Sequence, residues 1–179
     1  MIEYEADPSP FYTANKNYCE TLAHILKTVN LECSGWCNSF GYELETHLKK
    51  DDLTYHIKFL KNQTTQNGVV IPVNAHVYEG TVVTVKGLNK KFCITAGISP
   101  LRRLFMSKKN KNKISVPYFL KFNDLPEDAV EAGVVKKILD NKITKLRLNN
   151  GTLVCKIHTA TTDPLGLIRD IETMTQNWA

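Results

Sequence analysis

Ten basic residues and no acidic residue occur in the 44 positions from Gly80 to Asn123. The rest of the chain holds thirteen basic and eighteen acidic residues, so its positive charge is concentrated in this one segment. A segregated positive surface attracts polyanions through its long-range field. The sequence therefore predicts an anionic partner, and nucleic acid, an anionic membrane and an acidic protein surface are the three classes that fit.

The strongest candidates for direct anion contact are Arg102 and Arg103, on a short helix predicted to begin at Ser99 and Pro100. A guanidinium binds phosphate or carboxylate through two parallel hydrogen bonds, which favours arginine over lysine at such a site. Lysines complete the predicted anion-binding set, and those after the helix are expected to act as diffuse steering charge. They are Lys90, Lys91, Lys108, Lys109, Lys111 and Lys113.

Aromatic residues are interleaved with these cations, a mixture typical of proteins that bind single-stranded nucleic acid through phosphate contacts and base stacking. Most of the rings alternate in step with valine and leucine, which indicates that they belong to the core. Phe105 and Phe119 remain as candidate aromatic contacts. The pattern slightly favours nucleic acid as the partner.

Three other hypotheses remain open. Leu101, Leu104 and Phe105 beside the arginines would suit a peripheral contact with an anionic membrane. The same cations would suit a protein-interaction module of the adaptor or immunity type. The segment would also be explained as a solvated loop whose charge is neutralised internally by the acidic residues at 3–7 and 124–131.

Metal binding is not predicted. Cys33 and Cys37 are the closest cysteine pair, and His47 and His56 follow, but a second pair of closely spaced ligands is missing. The predicted hairpin register offsets the two histidines and places Glu45 opposite His56. Both imidazoles are therefore expected to be ordinary surface groups.

Catalysis is not predicted either. The chain has no GxGxxG, Walker or HExxH motif, and no cofactor is implied. If the protein is an enzyme, its nucleophile and base would come from Cys155 with His158, or from Cys37 with His47. Cys155 alternates with leucines and is expected in the core, so a non-enzymatic binding domain is favoured.

Composition indicates one globular domain. The chain has 179 residues, of which 42% are hydrophobic and 23% charged, values typical of a folded protein with one core. Residues 1–15, which include Pro8 and Pro10, are predicted to form an extended arm, and residues 16–179 the domain. An acidic start, five cysteines and the lack of a long apolar run predict a soluble cytoplasmic protein with reduced thiols.

Hydrophobic periodicity predicts an α+β fold with helices at 16–29, at 125–139 and after Pro164. Alternating segments between them predict a largely antiparallel sheet of about seven or eight strands built from hairpins. Four details of this sheet are predicted: Leu48 opposite Leu53, a turn at Glu79 and Gly80, Val83 and Val85 beside Ile94 and Phe92, and Leu148 opposite Leu153 across an Asn-Gly turn.

Overall fold

The fold, taken from a computed structural model, is α+β with a mixed, mostly antiparallel sheet. The structure describes residues 1–6, 8–63, 77–88, 93–98, 100–106, 118–123, 143–157 and 161–176. The predicted helix at 125–139 lies outside these ranges. So do Phe92, His158 and the six lysines of the predicted anion-binding set.

Nine strands and three helices lie in the described ranges. The strands are β1 (Ile2–Tyr4), β2 (Ser34–Asn38), β3 (Gly41–Lys50), β4 (Leu53–Gln63), β5 (Val77–Lys86), β6 (Cys93–Ile98), β7 (Tyr118–Asn123), β8 (Ile143–Asn149) and β9 (Thr152–Ile157). The helices are α1 (Pro10–Lys27), α2 (Pro100–Leu104) and α3 (Pro164–Gln176). The strand order is β1-β2-β3-β4-β5-β9-β8-β6-β7, and of the recorded strand pairings only β1 with β2 is parallel.

Helix α1 begins at Pro10, six residues before the predicted start, so the extended arm of the sequence prediction is shorter than expected. The hydroxyl of Ser9 accepts a hydrogen bond from the backbone N–H of Phe11, which caps the helix. Pro10 follows at the first helical position, where its missing N–H costs nothing. Residues 2–4 add a further difference, because they pair with β2 as an edge strand.

The hairpin of β3 and β4 forms, but its register differs from the prediction by two residues. Lys50 pairs with Leu53 across a two-residue turn, and Leu48 pairs with Tyr55. Asp51 adopts a positive φ of 53° in this turn, a conformation that aspartate tolerates better than most residues. A slip of two residues keeps every side chain on its predicted face, so the two-faced character of the hairpin is as expected.

The structure of strand β5 differs from two further predictions. It continues through Glu79 and Gly80 without a turn, because these residues pair with Lys61 and Leu60 of the long strand β4. Its other neighbour is β9 and not β6, so Val83 lies opposite Cys155. The predicted hairpin between β5 and β6 is therefore wrong. The Asn-Gly hairpin of β8 and β9 is confirmed, with Leu148 opposite Leu153.

The core lies between one face of the sheet and the helices α1 and α3. Tyr55 of β4 shows the contact directly, because its hydroxyl lies 3.1 Å from the hydroxyl of Thr175 on α3. On the helix side, Leu22 and Leu26 of α1 and Ile171 of α3 are buried. The opposite face of the sheet, here called the open face, carries the polar half of each alternating strand.

Candidate basic patch on the open sheet face

Four basic residues from three neighbouring strands project from the open face and form what we call the basic patch. Lys86 comes from β5, Lys156 from β9, and Lys145 and Arg147 from β8. Each alternates with core residues, as Arg147 does between Leu146 and Leu148. Folding therefore places all four on the same side of the sheet.

Register fixes the spacing of the patch. Lys156 lies directly opposite Lys145, and Arg147 lies opposite Val154 one pleat further along. Lys86 occupies the next row, opposite Thr152. With strands about 4.8 Å apart and same-face residues about 7 Å apart, the four Cα atoms cover roughly 10 by 14 Å.

Solvent reaches this surface. Lys86, Lys145 and Arg147 are exposed, and Lys156 is partly exposed. Within the described ranges, no carboxylate forms a salt bridge with Lys86, Lys145 or Arg147. Lys145 and Arg147 bring like charges close together on this face, which favours an incoming anion.

Hydroxyl groups surround the basic side chains. Thr84 and Thr152 lie on the same face in neighbouring rows, and both are partly exposed. Thr95 of β6 lies opposite Arg147 and extends the polar surface by one strand. Threonine hydroxyls can donate hydrogen bonds to phosphate oxygens, as they commonly do in nucleic-acid interfaces.

The other half of the open face carries a second charged group, the His–Glu cluster of Glu43, Glu45, His47, His56 and Lys58. Lys58 Nζ lies 2.6 Å from Glu43 Oε1 and 3.5 Å from Glu45 Oε2, while His56 Nε2 lies 2.9 Å from Glu45 Oε2. The hydrogen bond from His56, together with the charge of Lys58, lowers the pKa of Glu45. The hydrogen bond to Glu43 raises the pKa of Lys58.

Register within this cluster corrects the sequence prediction. His47 pairs directly with His56, and Glu45 pairs with Lys58, so the histidines are not offset. Their rings stack with centroids 4.3 Å apart and planes inclined by 10°. One ligand atom from each of Glu45, His47 and His56 lies within 4.8 Å of the other two.

Of the predicted anion-binding residues, Arg102 and Arg103 lie on the short helix that the Ser-Pro signature predicts. Arg102 is exposed, and Phe105 just after the helix is 87% exposed. Helix α2 lies beside β7, which carries Phe119 in register with Gly97. Helix α2 and strand β7 therefore lie at the β7 edge of the sheet, two strands beyond β8 of the basic patch.

Sequence reasoning missed Lys145, Arg147 and Lys156 because they lie outside the acid-free segment. Arg147 and Lys156 each stand between two buried apolar residues of an alternating strand, and Lys145 precedes the buried Leu146. Alternation alone places them together on one face of the β8–β9 hairpin. Joining this hairpin to Lys86 requires knowing that β9 pairs with β5, which the sequence pattern did not predict.

Of the two candidate catalytic pairs, Cys37 and His47 are not brought together, and His158, the partner proposed for Cys155, lies outside the described residues. Cys37 pairs with Tyr42 on the helix-covered face, whereas His47 lies on the open face, so the sheet separates them. Cys155 is completely buried, and burial raises the pKa of its thiol to about 12. Cys33 is half-buried, and burial likewise raises the pKa of its thiol to about 11. Cys19, Cys33, Cys37 and Cys155 are free thiols.

Comparison of this chain with known protein families, with curated protein sequences and with solved structures gives no match. Within the described ranges, no helix has both the length and the apolar character needed to cross a lipid bilayer.

Proposed function

We propose that this protein is a non-enzymatic binding domain that holds single-stranded nucleic acid against the basic patch. The observation that carries the proposal is the convergence of Lys86, Lys145, Arg147 and Lys156 on one exposed sheet face. The other nine basic residues of the acid-free segment, Arg102 on α2 among them, add further positive charge to the chain. They would steer an anionic polymer toward the sheet.

The form of the surface favours nucleic acid over a compact acidic protein. A broad, open antiparallel sheet is a surface on which single-stranded RNA can lie, with its phosphates bound by cations and its bases free to stack. Threonines between the basic side chains add hydrogen-bond donors for phosphate oxygens. The exposed ring of Phe105 supplies a stacking group at the β7 end.

The test is fluorescence anisotropy with a labelled, mixed-sequence single-stranded RNA at low salt. Wild-type protein is expected to bind, and Lys145→Glu with Arg147→Glu is expected to weaken binding by about tenfold or more because two phosphate contacts become repulsive. Both side chains are exposed, so the variant should keep the wild-type melting temperature.

A matched control is available on the helices. Lys27→Glu with Arg169→Glu changes the net charge by the same amount, at exposed positions of α1 and α3 on the other side of the sheet. This control should bind RNA within about twofold of wild type at moderate salt, where long-range attraction is screened. Equal weakening by both variants would contradict a localised site, and no binding at low salt would end the proposal.

A second candidate function rests on α2. Leu101, Leu104 and Phe105 are 71%, 69% and 87% exposed beside the exposed Arg102. Apolar side chains next to cations suit a peripheral contact with anionic lipid. Phe105→Asp should then abolish sedimentation with phosphatidylserine vesicles. Phe11→Asp, at a 57% exposed phenylalanine of α1, is the control and should still sediment.

A further inference from the structure

We propose that Glu45, His47 and His56 bind one divalent transition-metal cation of the zinc class on the open face. Ligand atoms from the three side chains already lie within 4.8 Å of one another. The site shares no residue with the basic patch: Arg147 lies three strand spacings or about 14 Å from His56, and Lys86, two residues beyond Thr84 on β5, lies about 8.5 Å from it. The metal proposal therefore does not depend on nucleic-acid binding.

The donor set has the chemistry that zinc-class ions prefer. Neutral imidazole nitrogen and carboxylate oxygen are ordinary zinc ligands, with bonds of about 2.0 to 2.2 Å. Two histidines and one carboxylate leave at least one coordination position for water or an exogenous ligand. His56 is partly exposed and His47 is exposed, so that position would face solvent.

The backbone of β3 and β4 already places the three candidate ligand side chains next to one another. His47 and His56 are direct partners on adjacent antiparallel strands, where Cβ atoms stand about 5 Å apart. Glu45 precedes His47 by two residues on the same face of β3, and its Oε2 reaches His56 Nε2 at 2.9 Å. The carboxylate therefore lies where a metal bound to that nitrogen would need its third ligand.

Ring orientation is what must change. A metal binds in the plane of an imidazole, and two planes inclined by only 10° cannot both contain one nearby ion. Binding therefore requires the stacked rings to turn about their side-chain torsions until their nitrogens converge. The sheet need not move, because rotation about χ1 and χ2 turns only the side chain, and His47 is exposed.

Lys58 opposes the metal electrostatically. Its Nζ lies 3.5 Å from the Glu45 carboxylate that would bind the ion, although its shorter contact, at 2.6 Å, is with Glu43. Removing this charge should favour a second cation on Glu45. Lys58→Met is therefore expected to strengthen metal binding by several-fold, an effect that a purely structural role for the cluster would not produce.

The test is calorimetric titration of the intact chain with Zn²⁺, alongside visible absorption with Co²⁺ to detect imidazole coordination. We expect one ion per chain, with affinity reduced by about tenfold or more in each of His47→Gln, His56→Gln and Glu45→Gln. His24→Gln, at an exposed histidine on α1, and Cys33→Ser, at a half-buried thiol, are the controls and should bind as wild type does. Binding should disappear in acid because the imidazoles must be neutral.

Two results would overturn the proposal. The first is the absence of a one-to-one Zn²⁺ complex in the folded wild-type chain. The second is a complex whose affinity is unchanged by His56→Gln but reduced by Cys33→Ser, which would assign the ion to thiols. Circular dichroism melting of each variant verifies that it is folded, so a loss of binding reports on the ligands and not on unfolding.

Discussion

Cys155 lies directly beneath the basic patch, on the core side of β9, and it illustrates how strongly one strand separates two environments. Its neighbour Lys156 reaches solvent, whereas the Cys155 thiol is completely buried with a pKa raised to about 12. Folded protein at pH 8 should therefore leave Cys155 unmodified by iodoacetamide, and denatured protein should be alkylated readily. Peptide mass spectrometry checks this, and fast labelling in the folded state would revive Cys155 as a candidate nucleophile.

The hydrogen-bonded partner of Glu45 determines how this residue makes the stability of the fold depend on pH. Hydrogen bonding to His56 lowers the pKa of Glu45, so the folded state binds the proton less tightly than the unfolded state does. The stability it contributes is present above the ordinary carboxyl pKa and is lost as pH falls through the lowered folded value. Glu45→Gln should therefore lose less unfolding free energy than wild type between neutral pH and about pH 3.

Urea denaturation across that pH range measures the effect. Glu20→Gln on α1 is the control. Glu20 Oε1 lies 3.7 Å from Lys16 Nζ in a solvent-exposed pair, on a different element from the His–Glu cluster. The control should follow the wild-type pH profile. An identical acid-induced loss in Glu45→Gln and wild type would mean that the contact with His56 contributes nothing to stability.

Residue patterns alone predicted the short helix that begins after Ser99. An exposed Arg102 and an exposed Phe105 follow from the short amphipathic helix after Ser99. The pairing of His47 with His56 could not be predicted from the sequence. A register slip of two residues leaves the apolar and polar faces of the hairpin unchanged, so both registers fit the pattern equally well. The sequence pattern could tell which face each histidine occupies but not which residue lies opposite.

At the scale of elements, the β8–β9 hairpin has the turn and the register that the sequence predicts, and the backbone conformation of its turn restricts which residues it accepts. Asn150 and Gly151 both have positive φ, 47° and 69°, as a type I′ turn requires. A Cβ at Gly151 would lie 2.5 Å from the carbonyl oxygen of Leu88, whose own N–H donates to the Gly151 oxygen. This turn therefore also anchors the end of β5.

Gly151→Ala should lower the free energy of unfolding by at least about 1 kcal/mol, from the positive φ and the clash together. Asn150→Gly is the matched control in the same turn. It should stay within about 0.5 kcal/mol of wild type, because glycine accepts the positive φ without a steric cost. Urea denaturation measures both, and a Gly151→Ala variant as stable as wild type would contradict the turn geometry.

Strand β5 shows why local patterns do not fix sheet order. Val83 and Val85 suit any apolar partner strand, and the sequence places Ile94 nearest along the chain. In the structure their neighbours are Cys155 and Leu153, more than sixty residues away. The alternation predicts that β5 is a strand with one buried face, but several partners satisfy that pattern equally well.

At the scale of the whole molecule, this distant pairing assembles the basic patch. Insertion of β9 and β8 between β5 and β6 brings Lys145, Arg147 and Lys156 beside Lys86. Composition alone identified the positive segment from Gly80 to Asn123 but not the residues that join it in space. The α+β class, the antiparallel character and α3 were predictable because they depend on local periodicity.

The measurement that tests the central proposal most directly is the salt dependence of single-stranded RNA binding by wild type and by Lys145→Gln with Arg147→Gln. Four phosphate contacts predict a slope of log K against log salt of about −3 for wild type, and loss of two contacts predicts about −1.4. Finding these slopes would support the basic patch as the binding surface. The same slope for both proteins, or no salt dependence, would contradict it.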